Sequence, residues 1–232
     1  VTLTILRDKI TKKIVVERNE VVVPTVFSKL YDKNKIGYIR ISAFLEKTGD
    51  EFVKALEKLE AKGIKGLVID LRDNGGGLVN SAHKMLERIL PDGEEIYSYG
   101  YNDGSKDIFK TASKPGQVDK TFELPIKIII NNNSASASEL FTGALEELGY
   151  AETVGETSFG KGVAQSVFEL KDEDAVSLKG GLKLTTIKYF LPTGESIHKI
   201  GITPAYKVRD DIKTAKDEQL ERAFKELKKM IY

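Results

Sequence analysis

Two short apolar runs constrain this chain more than any other feature. "GLVIDL" covers residues 66–71 and "LPIKIII" covers residues 124–130. Each is too short for a typical helix and lacks the polar alternation of a half-exposed strand, so each reads as a strand buried on both faces. Each runs into very small residues and then into a helical pattern. A strand buried on both faces needs helices above and below it, joined by right-handed crossovers. The neighbouring segments keep that rhythm. "KIGYIRIS" reads as a strand. "DEFVKALEKLEAKG" puts Phe52, Val53, Leu56 and Leu59 on one helical face, with Gly63 at its end. "NSAHKMLERIL" is a helix that stops before Pro91, and "ASASELFTGALEELG" is a helix that ends at Gly149. "EEIYSYGY" and "DIFKTAS" read as strands flanking the turn "NDGSK"; "VAQSVFEL" and "LKLTTIKYFL" are strands, and "DEQLERAFKELKKM" is an amphipathic helix. The expected class is α/β, a largely parallel sheet covered by helices.

Four regions follow. Residues 1–23 read as two strands and a turn, a hairpin too small to stand alone in water. Residues 24–34, opening on Pro24, read as a connector. Residues 35–210 form the α/β core, and residues 211–232 carry a helix packed on it. No export signal reads at the start, and no apolar run is long enough to span a bilayer. The 36 basic and 35 acidic residues leave a net charge of +1, which gives no electrostatic argument for nucleic acid or an anionic membrane. There are no cysteines, so disulfides, thiol nucleophiles and thiolate metal sites are excluded together. Two histidines, His83 and His198, leave little for a histidine metal site, and both read as structural or exposed. Neither a metal nor an organic cofactor is expected. Any hydrolytic chemistry has to work without a Ser–His pair.

Three segments can carry chemistry. In "VIDLRDNGGGL", residues 68–78, a buried strand enters three glycines, whose backbone N–H groups can face a developing negative charge; the plainer reading is a tight strand-to-helix turn. The spacing is not that of a dinucleotide site. In "NNNSASASEL", residues 131–140, a serine at a helix N-terminus suits a nucleophile whose intermediate is an oxyanion. Ser134, Ser136 or Ser138 could equally be a helix cap, with Glu139 supporting the first turn. In "GETSFGKGVAQ", residues 155–165, Gly155 to Lys161 nearly spells a phosphate loop. Gly162 stands where such a loop needs Ser or Thr, and a strand follows instead of a helix. Lys161 can instead be an amine base if it is desolvated, since burial lowers a lysine from its usual value of about 10.4. Gln165, four residues on, can accept from that amine and orient it.

Together, "GYIRISAF", "LVIDLRDNGGGL", "NNNSASASE", "VGETSFGKGVAQ", "LKLTTIKYFLPTGESI" and "GITPAY" resemble, in order, the carboxyl-terminal processing (tail-specific) proteases, which are Ser-Lys endopeptidases. The resemblance runs from Lys35 to Tyr206. It implies a sheet-and-helix core shared with ClpP-type proteases and crotonases, with Ser136 as nucleophile, Lys161 as general base and Gln165 orienting the base. It implies an oxyanion hole from the N–H groups of Ala137 and Gly77. The substrates would be unfolded or C-terminally exposed polypeptides, with homo-oligomers possible, in an extracytoplasmic setting. The family places a PDZ domain before this core. Residues 1–23 resemble only the last strands of such a domain.

Overall fold

The computed structural model describes residues 1–19, 23–31, 33, 35–112, 122–170, 180–210 and 214–232. The two apolar runs are the centre of it. β5 (Gly66–Asp70) and β8 (Ile126–Ile130) are buried along their whole length and lie side by side in parallel. β4 (Ile36–Ile41) flanks β5 and β9 (Ala151–Gly155) flanks β8, both parallel. The two-residue β12 (Tyr206–Lys207) closes the β9 edge, again in parallel. The other edge is β3 (Val26–Tyr31), antiparallel to β4. The six-stranded order is β12-β9-β8-β5-β4-β3.

β3 corrects the connector expected over residues 24–34. Its middle, Ser28 and Lys29, is polar and exposed, which hides the strand in the sequence. Its ends decide the matter: Val26 and Leu30 pack on the main core, and Tyr31 packs on the opposite face of the sheet. Ile39 and Ile41 of β4 give its neighbour a buried surface to pair beside.

Alternation along the strands sends side chains to two cores. Leu67 and Ile69 of β5, with Ile126, Ile128 and Ile130 of β8, join the larger one. It is covered by α1 (Thr48–Glu60), α2 (Val79–Ile89) and α3 (Ala137–Glu147). Val68 and Ile129, with Ile36 and Val154, face the other way onto α4 (Glu218–Ile231), which contributes Ala223 and Leu227. Lys127, also on that face, is fully buried; its ammonium pairs with Glu152 and lies 5.1 Å from the centre of the Tyr206 ring.

A second sheet is antiparallel, in the order β10 (Val163–Leu170), β11 (Gly180–Phe190), β6 (Glu95–Gly100), β7 (Lys106–Lys110). The strands expected around "NDGSK" are β6 and β7. Among the described residues, the N-terminal hairpin, β1 (Thr2–Arg7) and β2 (Ile10–Val15), pairs only with itself, and nearly all of its residues are exposed.

One side chain bolts α4 to the end of β5. Arg72 donates to Asp70, to Asp217 through two bonds of 2.8 Å, and to Asp210. Asp70 is completely buried and also accepts from the Tyr38 hydroxyl. Asp217 caps α4 by accepting from the Leu220 N–H. Burial pushes the Asp217 carboxyl up, but its bonds to Arg72 and Leu220 outweigh this and leave it below the usual carboxylate range. A carboxyl depressed in the fold stabilises it above the unfolded value, about 3.9, and that contribution is lost as pH falls through the folded value. Arg72→Met should therefore cost about 3 kcal/mol, because Asp70 is left buried without its main partner. Melting should fall by about 6–12 °C at pH 7, and the acid loss of stability below about pH 4 should become shallower. Melts from pH 3 to 7 read both; an unchanged melting temperature would refute the role given to Arg72.

Candidate active site

β5 and β8 are parallel neighbours, so the glycine turn after one and the serine turn after the other emerge side by side at their carboxyl ends. That is the usual ligand position in open α/β sheets. Side chains stitch the two turns together. Asp73, with φ of 61°, accepts from the side-chain amides of Asn131 and Asn133, and its own N–H donates to Asn131 Oδ1. Those two amides hold the Asp73 carboxyl below its usual range. Asn74 is fully buried. Its Nδ2 donates to the Ile41 carbonyl, its Oδ1 accepts from the Gly76 N–H, and its carbonyl accepts from the Ala135 N–H and the Ser138 hydroxyl.

These bonds separate the three serines that the sequence leaves equivalent. Ser134 donates to the Leu71 carbonyl at 2.8 Å, and Ser138 donates to the Asn74 carbonyl at 2.8 Å. Both hydroxyls hold the turn together. Ser136 sits at the N-cap of α3 with φ 58° and ψ −116°, a backbone that L-residues seldom adopt. Such strain at a strand-to-helix turn presents a side chain toward a site. Ser136 is 7% exposed.

The glycines are required by close approach. A Cβ at Gly76 would lie 2.6 Å from the Ala135 carbonyl oxygen and 2.8 Å from Ser136 Cβ; one at Gly77 would lie 2.1 Å from the Phe44 carbonyl oxygen. Phe44 brackets Gly77, donating to the Gly76 carbonyl and accepting from the Leu78 N–H. Among the described residues, no hydrogen bond engages the N–H of Gly77 or of Ala137. Ala137 is fully buried, and a buried N–H without a protein acceptor is unusual.

Glu139 does much more than support a first turn. It is 1% exposed and accepts from four donors. Oε2 takes the N–H groups of Ser136 and Lys161, both at 2.8 Å. Oε1 takes the Ser158 hydroxyl at 2.5 Å and the Gly160 N–H at 2.6 Å. One carboxylate thus fixes the backbone of the serine turn against that of the lysine loop. Ser158 in turn accepts from the Ile202 N–H at 2.7 Å. The glycines around Lys161 also have a local reason: Gly160 packs on Ile200 and Gly201, and Gly162 packs on the backbone of His198.

Lys161 and Gln165 are both exposed, and Gln165 follows a register shift in β10. Among the described residues, no hydrogen bond joins the Lys161 amine to Ser136 or to Gln165. The structure thus brings Ser136, Ala137, Gly77 and the Lys161 backbone together, while the Lys161 side chain is exposed. The chain that follows Lys161 is a strand, so no helix N-terminus is present to complete a phosphate loop.

Residues 35–208 match Peptidase family S41. The chain belongs to that family. It is 39% identical over 192 residues to the carboxy-terminal processing protease CtpA of Bacillus subtilis strain 168, covering 83% of this chain and 39% of that protein. It is 37% identical over 191 residues to a carboxyl-terminal-processing protease of a Picosynechococcus species, covering 82% of this chain and 43% of that one. The chain therefore spans about two-fifths of the length of these curated relatives. Among solved structures, a photosystem II D1 C-terminal processing protease superposes with a TM-score of 0.71 at 26% identity, over 91% of this chain and 55% of that one.

Within this S41 core, Glu139 and Asn74 were not singled out as site residues by the sequence. Only Glu139 left a trace, as a capping-box glutamate. Replacing Glu139 by Gln sets an NH2 group against at least one backbone N–H whichever way the amide turns. Glu139→Gln should cost about 3 kcal/mol and should raise amide exchange at residues 158–161 above that of the neighbouring β9. Exchange mass spectrometry checks this, and unchanged protection of that loop would contradict it.

Proposed function

We propose that this chain is the catalytic core of a serine endopeptidase of the carboxyl-terminal processing type, acting on unfolded or C-terminally exposed polypeptides. The observation that carries the reading is the Ser136 turn: a hydroxyl on a strained helix N-cap, near two N–H groups that no acceptor among the described residues takes. Ser136 Oγ attacks the scissile carbonyl as its proton passes to Lys161 Nζ. The N–H groups of Gly77 and Ala137 receive the oxyanion. Lys161 then protonates the leaving amine, and water hydrolyses the acyl-serine by the reverse route. Gln165 orients the amine. A bound peptide would supply the desolvation an amine base needs, because Lys161 is exposed among the described residues.

The same reading takes residues 1–23 as the last strands of a PDZ-like domain that would receive the substrate tail, and the core as kin to ClpP-type proteases and crotonases. It also implies an extracytoplasmic setting. No helix among the described residues is long and apolar enough to cross a membrane. A second reading, a catalytically silent peptide-binding module, is favoured by one observation: the Lys161 amine lies in solvent, without Ser136 or Gln165 as partner.

Casein with EDTA present, read by mass spectrometry of new peptide ends, separates the two. The wild type should cut. Ser136→Ala and Lys161→Arg should each cut at least about a thousandfold more slowly with unchanged melting, since arginine stays protonated and cannot act as a base. No cleavage by the wild type would favour the silent module; equal cleavage by wild type and Ser136→Ala would remove Ser136 as nucleophile.

A further inference from the structure

Exposed apolar side chains are scarce on the core, and most of them stand at the site. Among the described residues from 35 to 162, the large apolar side chains left exposed are Leu45, Leu78, Ile108 and Phe159. Ile108 lies on β7, the far edge of the second sheet. The other three belong to the segments that build the site: Leu45 follows Phe44, Leu78 follows Gly77, and Phe159 lies two positions before Lys161. Scattered singly, such residues mean little; grouped around a site, they mark a surface that receives an apolar partner. Phe159 is 65% exposed, yet its backbone is held on both sides. Its own N–H donates to the Ser134 carbonyl at 2.9 Å, and its neighbours Ser158 and Gly160 both donate to Glu139. Ile200, 70% exposed, belongs to the turn that packs on Gly160. There the Lys199 N–H donates to the Gly160 carbonyl at 2.8 Å, and a Cβ on Gly160 would lie 3.0 Å from the Ile200 nitrogen. The frame that fixes the Lys161 loop against Ser136 thus also holds two apolar side chains out in water, which forgoes the free energy of burying them.

Resting on the peptidase reading, we propose that Phe159 and Ile200 set specificity on the leaving-group side: they receive an apolar side chain from the residue immediately C-terminal to the scissile bond. The occupant follows from continuity with the site. The chain belongs to a peptidase family, so the molecule that reaches Ser136 is a polypeptide. In the proposed mechanism Lys161 protonates the leaving amine. The residue that carries this amine therefore comes to rest against the lysine loop, where Phe159 and Ile200 stand. Leu45 and Leu78 border the glycine turn instead, through the bonds that join Phe44 to Gly76 and Leu78, and face the acyl half of the substrate. An apolar residue closing on Phe159 and Ile200 would also exclude water from the neighbouring amine, which an amine base requires.

The test starts from a casein digest by the wild type, with EDTA present. A peptide spanning one observed cut is remade in two forms, with leucine or with serine immediately after the cut. The wild type should cleave the leucine form with a kcat/KM about tenfold higher, the scale of discrimination an apolar contact supplies. Phe159→Ser combined with Ile200→Ser should lose that preference. The double variant should still cleave the serine form at the wild-type rate and melt at the wild-type temperature, since both side chains are exposed. Equal cleavage of the two forms by the wild type, or an undiminished preference in the double variant, would overturn this assignment and leave the peptidase reading standing. No cut in casein would overturn both. A second measurement needs no turnover. In Ser136→Ala labelled with 4-fluorophenylalanine, the Phe159 fluorine resonance is assigned by its loss in Phe159→Ser. It should move further with the leucine form than with the serine form, and equal or absent shifts would overturn the contact by themselves.

Discussion

The site depends on a single buried carboxylate. Glu139 lies in the first turn of α3, yet three of its four donors belong to residues 158–161, which lie about twenty positions further along the chain. A buried acceptor with this many donors has little geometric freedom, because moving one bond strains the others. The turn that bends Ser136 out of ordinary backbone geometry and the loop that carries Lys161 are therefore set against each other by one group. Asn74 plays the matching part on the other side, tying the glycine turn to β4 and to α3. The parallel pair β5 and β8 brings these turns together, and the two side chains convert nearness into a fixed arrangement.

On the peptidase reading proposed above, that arrangement divides the work between backbone and side chain. The parts that must be placed with the greatest accuracy, the Gly77 and Ala137 N–H groups and the Ser136 turn, belong to the rigid frame. The groups proposed to move protons, the Ser136 hydroxyl and the Lys161 amine, are borne on side chains. Preorganised dipoles give most when they need not move during reaction, whereas proton carriers have to change partners. The glycines serve the frame: wherever Gly76, Gly77, Gly160 or Gly162 stands, another stretch of backbone lies where a Cβ would be.

Much of this was legible in the sequence, for physical reasons that differ from one element to the next. β5 and β8 declare themselves because a doubly buried strand can afford few polar residues. α1 and α4 show their apolar faces by spacing. β3 was hidden because an edge strand needs side chains in the core only at intervals, and Ser28 and Lys29 face water. The three serines could not be ranked from sequence, since the carbonyls that engage Ser134 and Ser138 come from Leu71 and Asn74, more than sixty positions away. The exposure of Lys161 was equally out of reach, because spacing places a residue on a loop without saying which way a long flexible side chain leaves it.

The position of α4 has a consequence for how the molecule is made. This helix covers the face of the sheet that bears Val68 and Ile129, and its cap, Asp217, holds Arg72 next to the Asp73 and Asn74 turn. On a ribosome these residues emerge after everything else in the core. Until they do, an apolar face of the central sheet is open to water and Asp70 lacks the support that fixes its arginine. The nascent chain can gather its strands early, but the end of β5 that borders the serine turn settles only when α4 docks. Synthesis order alone then delays the settling of the serine turn until nearly the whole core has left the tunnel.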